Sequence, residues 1–96
     1  MKTVVSGRTV EWDDSKNELN EKKHGIDFST AALVFTDNAR LEFFDAKHSD
    51  EEDRYIVLGK VGRVLFVVYT ERGDSTRIIS ARLATNAEEK IYYGDN

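Results

Sequence analysis

The chain contains neither cysteine nor proline in its 96 residues. Without cysteine there is no disulfide framework, no thiolate metal site and no cysteine nucleophile. Without proline, the turns fall to glycine, asparagine and aspartate. No apolar run approaches the length of a membrane span, and the amino terminus lacks the apolar stretch of a secretory signal. A cytoplasmic protein with no membrane attachment is the expectation. Basic charge is also in short supply. Fourteen Lys and Arg against 18 Asp and Glu give a net charge of −4 and a pI near 5.1, a total that argues against a nucleic-acid partner. A hydrophobic content of 40% is enough for one modest core, so residues 1–96 read as a single domain.

The distribution of charge says more than its total. Residues 1–53 hold seven basic and thirteen acidic side chains, a net −6. Residues 54–82 hold six and two, a net +4, and residues 83–96 hold one and three, a net −2. Salt screens distant charges, so local sign governs what a surface attracts at close range. The basic segment contains Thr70-Glu71-Arg72-Gly73-Asp74-Ser75-Thr76-Arg77 and, further on, Arg82. Gly73-Asp74 marks the turn of a β-hairpin, because glycine accepts the positive φ that a tight turn needs. Arg72 then sits at the tip, with Arg77 and Arg82 on the return strand. Guanidinium groups there can grip phosphate oxygens through two parallel hydrogen bonds.

The rest of the chain reads as β-α-α-β-β-β-β-α. Val10 to Trp12 is a short strand, with Trp12 in the core. Asp13 caps a helix that runs to about His24 and stops at Gly25. Leu19 is the only large apolar residue inside that helix. Asp27 caps a second helix, in which Phe28, Ala31, Ala32 and Phe35 follow the i, i+3, i+4, i+7 spacing of a core stripe. Asp37-Asn38 breaks it. Strands follow over Arg40–Phe44, Arg54–Lys60, Arg63–Thr70 and Ser75–Arg82, with Asp45–Asp53 as a polar loop. Leu65 to Tyr69 is apolar on both faces and predicts a central strand covered on each side. Thr85 and Glu88 match a capping box for a last helix ending near Tyr93. The fold class is α+β, with helices on one face of a mostly antiparallel sheet.

Two blocks of residues resemble a known family. Glu11-Trp12-Asp13, Lys16, Asn20, Lys23-His24-Gly25-Ile26 and Phe28 resemble the opening of BrnT toxins. Thr70 to Asp74, then Arg77-Ile78-Ile79-Ser80-Ala81-Arg82 with Ala84, Glu88 and Tyr92, resemble the carboxyl-terminal half of the same family. The resemblance spans about Val10 to Tyr92. It implies a RelE-like fold and a ribonuclease toxin of a type II toxin–antitoxin system. It also implies a BrnA-like antitoxin as partner, with operator DNA bound through the complex. Many such toxins are basic, and this chain is not.

Metal-free cleavage of RNA by its own 2′-hydroxyl needs a base for that proton, cations for the added negative charge and an acid for the leaving oxygen. No cofactor or metal is expected. With the resemblance in hand, His24, Glu71, Arg72, Arg77 and Arg82 are the catalytic candidates, and Lys16, Lys23 and Arg54 are candidates for RNA contact. Each has a plainer reading. Imidazole exchanges protons near neutrality, but at a helix carboxyl end His24 can simply bond the last carbonyls. Lys16, Asn20 and Lys23 share one helix face, which is either solvated or turned to RNA. Glu71 is either a base or the partner of an arginine, and a buried Arg77–Glu71 pair competes with catalysis. Strict alternation puts Arg77 and Arg82 on opposite faces, so one site can use both only if a bulge intervenes or Arg82 already lies past the strand end. Arg54 either neutralises the Asp50–Asp53 run or meets phosphate. His48 among those carboxylates has no distinctive metal-ligand spacing and reads as part of a flexible acidic loop. Tyr92 and Tyr93 either pack the last helix or stack on a base. A non-catalytic module that binds the antitoxin and acts as co-repressor is the alternative to an enzyme.

Overall fold

Ser6 and Gly7, both at positive φ (50° and 77°), turn the first residues back on themselves. They create a strand that the sequence pattern does not announce: β1 (Lys2–Val5) pairs with β2 (Arg8–Glu11) in an antiparallel hairpin. The computed structural model describes residues 1–94. After the hairpin come α1 (Asp14–His24) and α2 (Phe28–Ala31), the latter continued by a 3-10 segment, Ala32–Thr36. Next are β3 (Leu41–Phe44), β4 (Arg54–Val61), β5 (Arg63–Arg72), β6 (Ser75–Leu83) and α3 (Asn86–Tyr93). The expected element order is thus corrected by one additional amino-terminal strand. The six strands form one sheet in the order β1-β2-β6-β5-β4-β3, antiparallel throughout except where β2 runs parallel to β6. No helix among the described residues is long and apolar enough to cross a membrane.

The core lies between one face of the sheet and the α2 region. Phe28, Ala31, Ala32, Val34 and Phe35 are buried against Val10, Val57, Leu65, Val67, Tyr69, Ile78 and Ala81. Trp12 is buried as well and sets its edge against Phe28. The predicted stripe of the second helix is therefore core, although only its first turn is α-helical. Gly59 allows this close fit, because a Cβ there would stand 2.7 Å from Val34 Cβ. Among the described residues, the other face of the sheet carries no helix layer. Phe66 and Val68, expected under cover, are only half-buried on that open face. The strand is central, but it is covered on one side.

α1 starts and stops where its caps predict. Asp13 accepts from Ser15 N and Lys16 N, and Gly25 closes the helix at φ 74°. Its anchor is unexpected. Leu19 is 67% exposed, whereas Asn20 is buried. Asn20 Nδ2 donates to Ile26 O (2.9 Å) and Ala81 O (2.8 Å), and Ala81 N donates to Asn20 Oδ1 (3.1 Å). The pairing of β2 with β6 ends at Arg77, so Ala81 lies on an edge that has no strand neighbour. Asn20 supplies the missing ladder bonds. This corrects the reading of Asn20 as part of an RNA-facing stripe.

Asn20→Ala should destabilise the fold by about 2–3 kcal/mol, since buried peptide groups would lose their partners. Urea unfolding measures this, and a loss under about 1 kcal/mol would mean that water replaces the side chain.

Candidate nucleic-acid interface

One irregularity builds the interface. Along β5 and β6, Val68 pairs with Ser80 but Tyr69 pairs with Ile78, so Ile79 is an extra residue bulged out of β6. The bulge reverses the parity between Arg77 and Arg82. Arg77 lies opposite Thr70 and Arg82 opposite Phe66, and Thr70 and Phe66 share a face of β5. Both arginines therefore lie on the open face. Arg54, the first residue of β4, is also opposite Thr70. Arg54, Thr70 and Arg77 form a row across three strands, with the two arginines about 10 Å apart at the backbone. Arg72, opposite Ser75 at the hairpin tip, is on the same face.

The guanidinium groups differ in freedom. Arg82 is fixed: Nη1 and Nη2 donate to Glu88 Oε1 and Oε2 at 2.8 and 3.0 Å, and its Cζ sits 3.9 Å from the Phe66 ring centroid. Arg77 Nη1 is 3.6 Å from Glu11 Oε2, a charge contact without a hydrogen bond. Arg72 has a looser contact of 3.8 Å with Glu52. Among the described residues, Arg54 has no carboxylate partner.

Two recesses open beside this row. One, of about 350 Å3, is lined by Arg54, Ile56, Phe66, Val68, Ser80 and Arg82, with Asp45 and His48 on its rim. The other, of about 220 Å3, is lined by Lys16, Leu19, Asn20, Lys23, His24, Ile79 and Ser80. Ser80 belongs to both, so α1 and the open face meet at the bulge. Lys16, Lys23 and His24 flank the side opposite Arg54.

Glu71 does not join them. It pairs with Thr76 on the helix-covered face, where Thr76 Oγ1 donates to it (3.1 Å) and Arg8 Nη1 lies 3.5 Å away. Glu71 is therefore the partner of an arginine, but that arginine is Arg8; the expected Arg77–Glu71 pair is corrected, because the two lie on opposite faces and the carboxylate beside Arg77 is Glu11. Arg8 continues toward Glu42 (3.9 Å) and covers the Phe35 ring. Tyr69 donates to Glu42 at 2.6 Å, and burial, then that carboxylate, push its phenol well above the usual range. This cluster closes the end of the core. Tyr92 likewise packs α3, donating to Asp37, which with burial pushes its phenol up to about 12.

Sequence reading passed over His48. Its Nδ1 lies 2.9 Å from Asp45 Oδ2, and the residue is one of those lining the larger recess. The spacing of Asp45 and His48, three residues apart, is the signal that the surrounding carboxylates hid.

A family model described as "Ribonuclease toxin, BrnT, of type II toxin-antitoxin system" matches residues 12–88. Among solved structures, the 1.1 Å crystal structure of the Brucella abortus ribonuclease toxin BrnT is similar, with a TM-score of 0.63 and 23% identity. The likeness covers 80% of this chain and 96% of that one, and it extends to the fold. No curated protein matches.

The Arg82–Glu88 pair makes a pH prediction. Hydrogen bonds from Arg82 lower the Glu88 carboxyl; burial opposes them, and the Thr85 N–H adds to them. A lowered native value means that this stabilisation is complete above the ordinary 4.5 and is lost as pH falls through the native value. Glu88→Gln should reduce stability at neutral pH and decline less steeply on the acid side in urea unfolding. Equal acid-side slopes would show that the pair contributes nothing.

Proposed function

The chain belongs to the BrnT family of ribonuclease toxins of type II toxin–antitoxin systems, and from that premise we propose that it cuts RNA internally across the open face of its sheet. The observation that carries this reading is the alignment of Arg54, Arg77 and Arg82 on one uncovered face through the bulge at Ile79. In the proposed reaction the RNA 2′-hydroxyl attacks the adjacent phosphorus without a metal ion. Arg54 and Arg77 hold the phosphate and offset its added charge, while Arg82, tied to Glu88, contributes a fixed positive field. Arg72 and the lysines Lys16 and Lys23 extend the contact along the RNA backbone. His24 faces the nucleotide chain from the α1 side.

A BrnA-like antitoxin would cover this face, meeting its arginines with carboxylates and its half-buried Phe66 and Val68 with apolar side chains. Operator DNA would be bound through that complex. The mostly antiparallel sheet with helices on one face supports the RelE-like label. A second reading has its own observation. Arg72, Arg77 and Arg82 each have a carboxylate nearby, which favours a non-catalytic co-repressor module.

The two readings separate in a cleavage assay on antitoxin-free protein with excess chelator. Cleavage should persist and leave 2′,3′-cyclic phosphate ends. Arg77→Ala should lower the rate by about 100-fold or more, as for loss of one transition-state donor, with the urea midpoint nearly unchanged. Cleavage at the parent rate by Arg77→Ala would remove Arg77 from the mechanism. Antitoxin binding by a parent protein that leaves RNA intact would establish the module.

A further inference from the structure

We infer that His48, oriented by Asp45, is the proton acceptor for the RNA 2′-hydroxyl; the inference rests on the nuclease reading above and gives that site its missing base.

The argument begins with what the loop holds still. Ser49 Oγ donates to Asp45 O (2.6 Å) and accepts from Arg54 N (2.9 Å), while Asp45 N donates to Arg54 O (2.8 Å). Asp45 and Arg54 are thereby tied together across the loop, at the first residue of β4. Thr70 Oγ1 donates to Asp53 O (2.6 Å) and fixes the other end of the loop to β5. The histidine thus stands on a loop fastened to the same row that carries Arg54 and Arg77.

Its chemistry follows from the pairing. The Asp45 side chain is only 14% exposed and lies 2.9 Å from His48 Nδ1, whereas the His48 side chain is 60% exposed. A carboxylate at Nδ1 favours the proton there and leaves the Nε2 lone pair available. Among the described residues Nε2 has no hydrogen-bond partner. His48 lines the recess shared with Arg54 and Arg82 and also the neighbouring hollow with Asp50, Glu51, Glu52 and Arg54. The charged groups that face it are therefore Asp45, Asp50, Glu51 and Glu52 from its own loop, Arg54 from β4 and Arg82 from β6. The alternatives are less well placed. Glu71 is on the far side of the sheet, and the recess of His24 holds lysines but no guanidinium.

In the step proposed, Nε2 takes the 2′-hydroxyl proton as the 2′-oxygen bonds to phosphorus. The P–O5′ bond breaks, and the 5′-oxygen leaves with a proton from solvent. Products are a 2′,3′-cyclic phosphate and a 5′-hydroxyl, and the imidazolium returns its proton to water.

The test uses the intact chain, freed of antitoxin, and a labelled mixed-sequence RNA oligonucleotide. His48→Gln should lower kcat by about 100-fold or more, the usual contribution of a general base, with RNA affinity retained. His48→Gly should recover cleavage on addition of free imidazole, which a structural role would not allow. Asp45 is a positioning residue: Asp45→Asn should lower kcat, leave KM in place and shift the acid limb of the pH–rate profile. Parent protein that cleaves while His48→Gln cleaves equally, with the same acid limb, overturns the inference and leaves the nuclease reading standing. Loss of the acid limb in His24→Gln instead assigns the base to the α1 side and also overturns it. Parent protein that fails to cleave removes the nuclease reading, and the role of His48 falls with it.

Discussion

A single unpaired residue, Ile79, controls the composition of the open face. Five positions separate Arg77 from Arg82, so a regular strand would aim one of them into the core and the other away from it. A guanidinium in that core would lie among Val67, Ile78 and Ala81 with no carboxylate to meet it, at a cost of several kcal/mol. The extra residue removes this conflict by restoring both arginines to one side. It also bends β6 at the point where β2 stops pairing with it, and there α1 takes over the edge through Asn20. Bulge, edge seal and arginine row are one arrangement. The bulge has little purpose without the arginines, and the buried peptide groups of Ala81 beside it would be unsatisfied without Asn20.

Electrostatics explains how an acidic chain can carry such a face. The carboxylates outnumber the cations overall, yet the basic side chains of residues 54–82 are gathered on strands while many acids lie in loops and helices. Several acids nevertheless reach the arginines. The contacts grade from the two-pronged Arg82–Glu88 bond, through Arg77–Glu11 at 3.6 Å, to Arg72–Glu52 at 3.8 Å on the exposed rim. Exposed pairs of the last kind contribute little and yield readily to a competing phosphate. The bidentate pair does not, and it fixes α3 as much as it fixes Arg82, because α3 buries none of its own residues. Among the described residues Arg54 has no acid partner, so in the proposed site it is the most available phosphate ligand of the row. Affinity for RNA should then be modest and sharply dependent on salt.

Much of this architecture is legible in the residues. Asp13, Gly25, Asp27 and Thr85 mark helix ends because capping is local chemistry, and the core stripe of Phe28 to Phe35 follows from helical spacing. What escaped depends on partners distant in sequence. Val4 in β1 is exposed, so no alternating pattern marks that strand. Leu19 looks like an anchor by composition, but the sheet edge beside α1 offers peptide groups rather than an apolar surface, so Asn20 is buried in its place. Phe66 and Val68 are apolar although their face has no covering layer, and composition alone cannot distinguish an uncovered apolar face from a covered one. The placement of Glu71 was within reach. A two-residue Gly73-Asp74 turn pairs Glu71 with Thr76, and that register puts Glu71 and Arg77 on opposite faces. The bulge has no such local mark.

His48 illustrates how a functional side chain disappears into composition. Surrounded by Asp45, Asp50, Glu51, Glu52 and Asp53, it reads as one more polar residue of a mobile loop. Three-dimensional order comes instead from Ser49, whose hydroxyl joins both ends of the segment. This division of labour has a physical logic. Arginines on strands hold a phosphate in a frame set by backbone hydrogen bonds, which tolerates little movement. A base must come close to a sugar hydroxyl whose position varies with the nucleotide, and a short loop fastened at its base allows that adjustment without losing orientation.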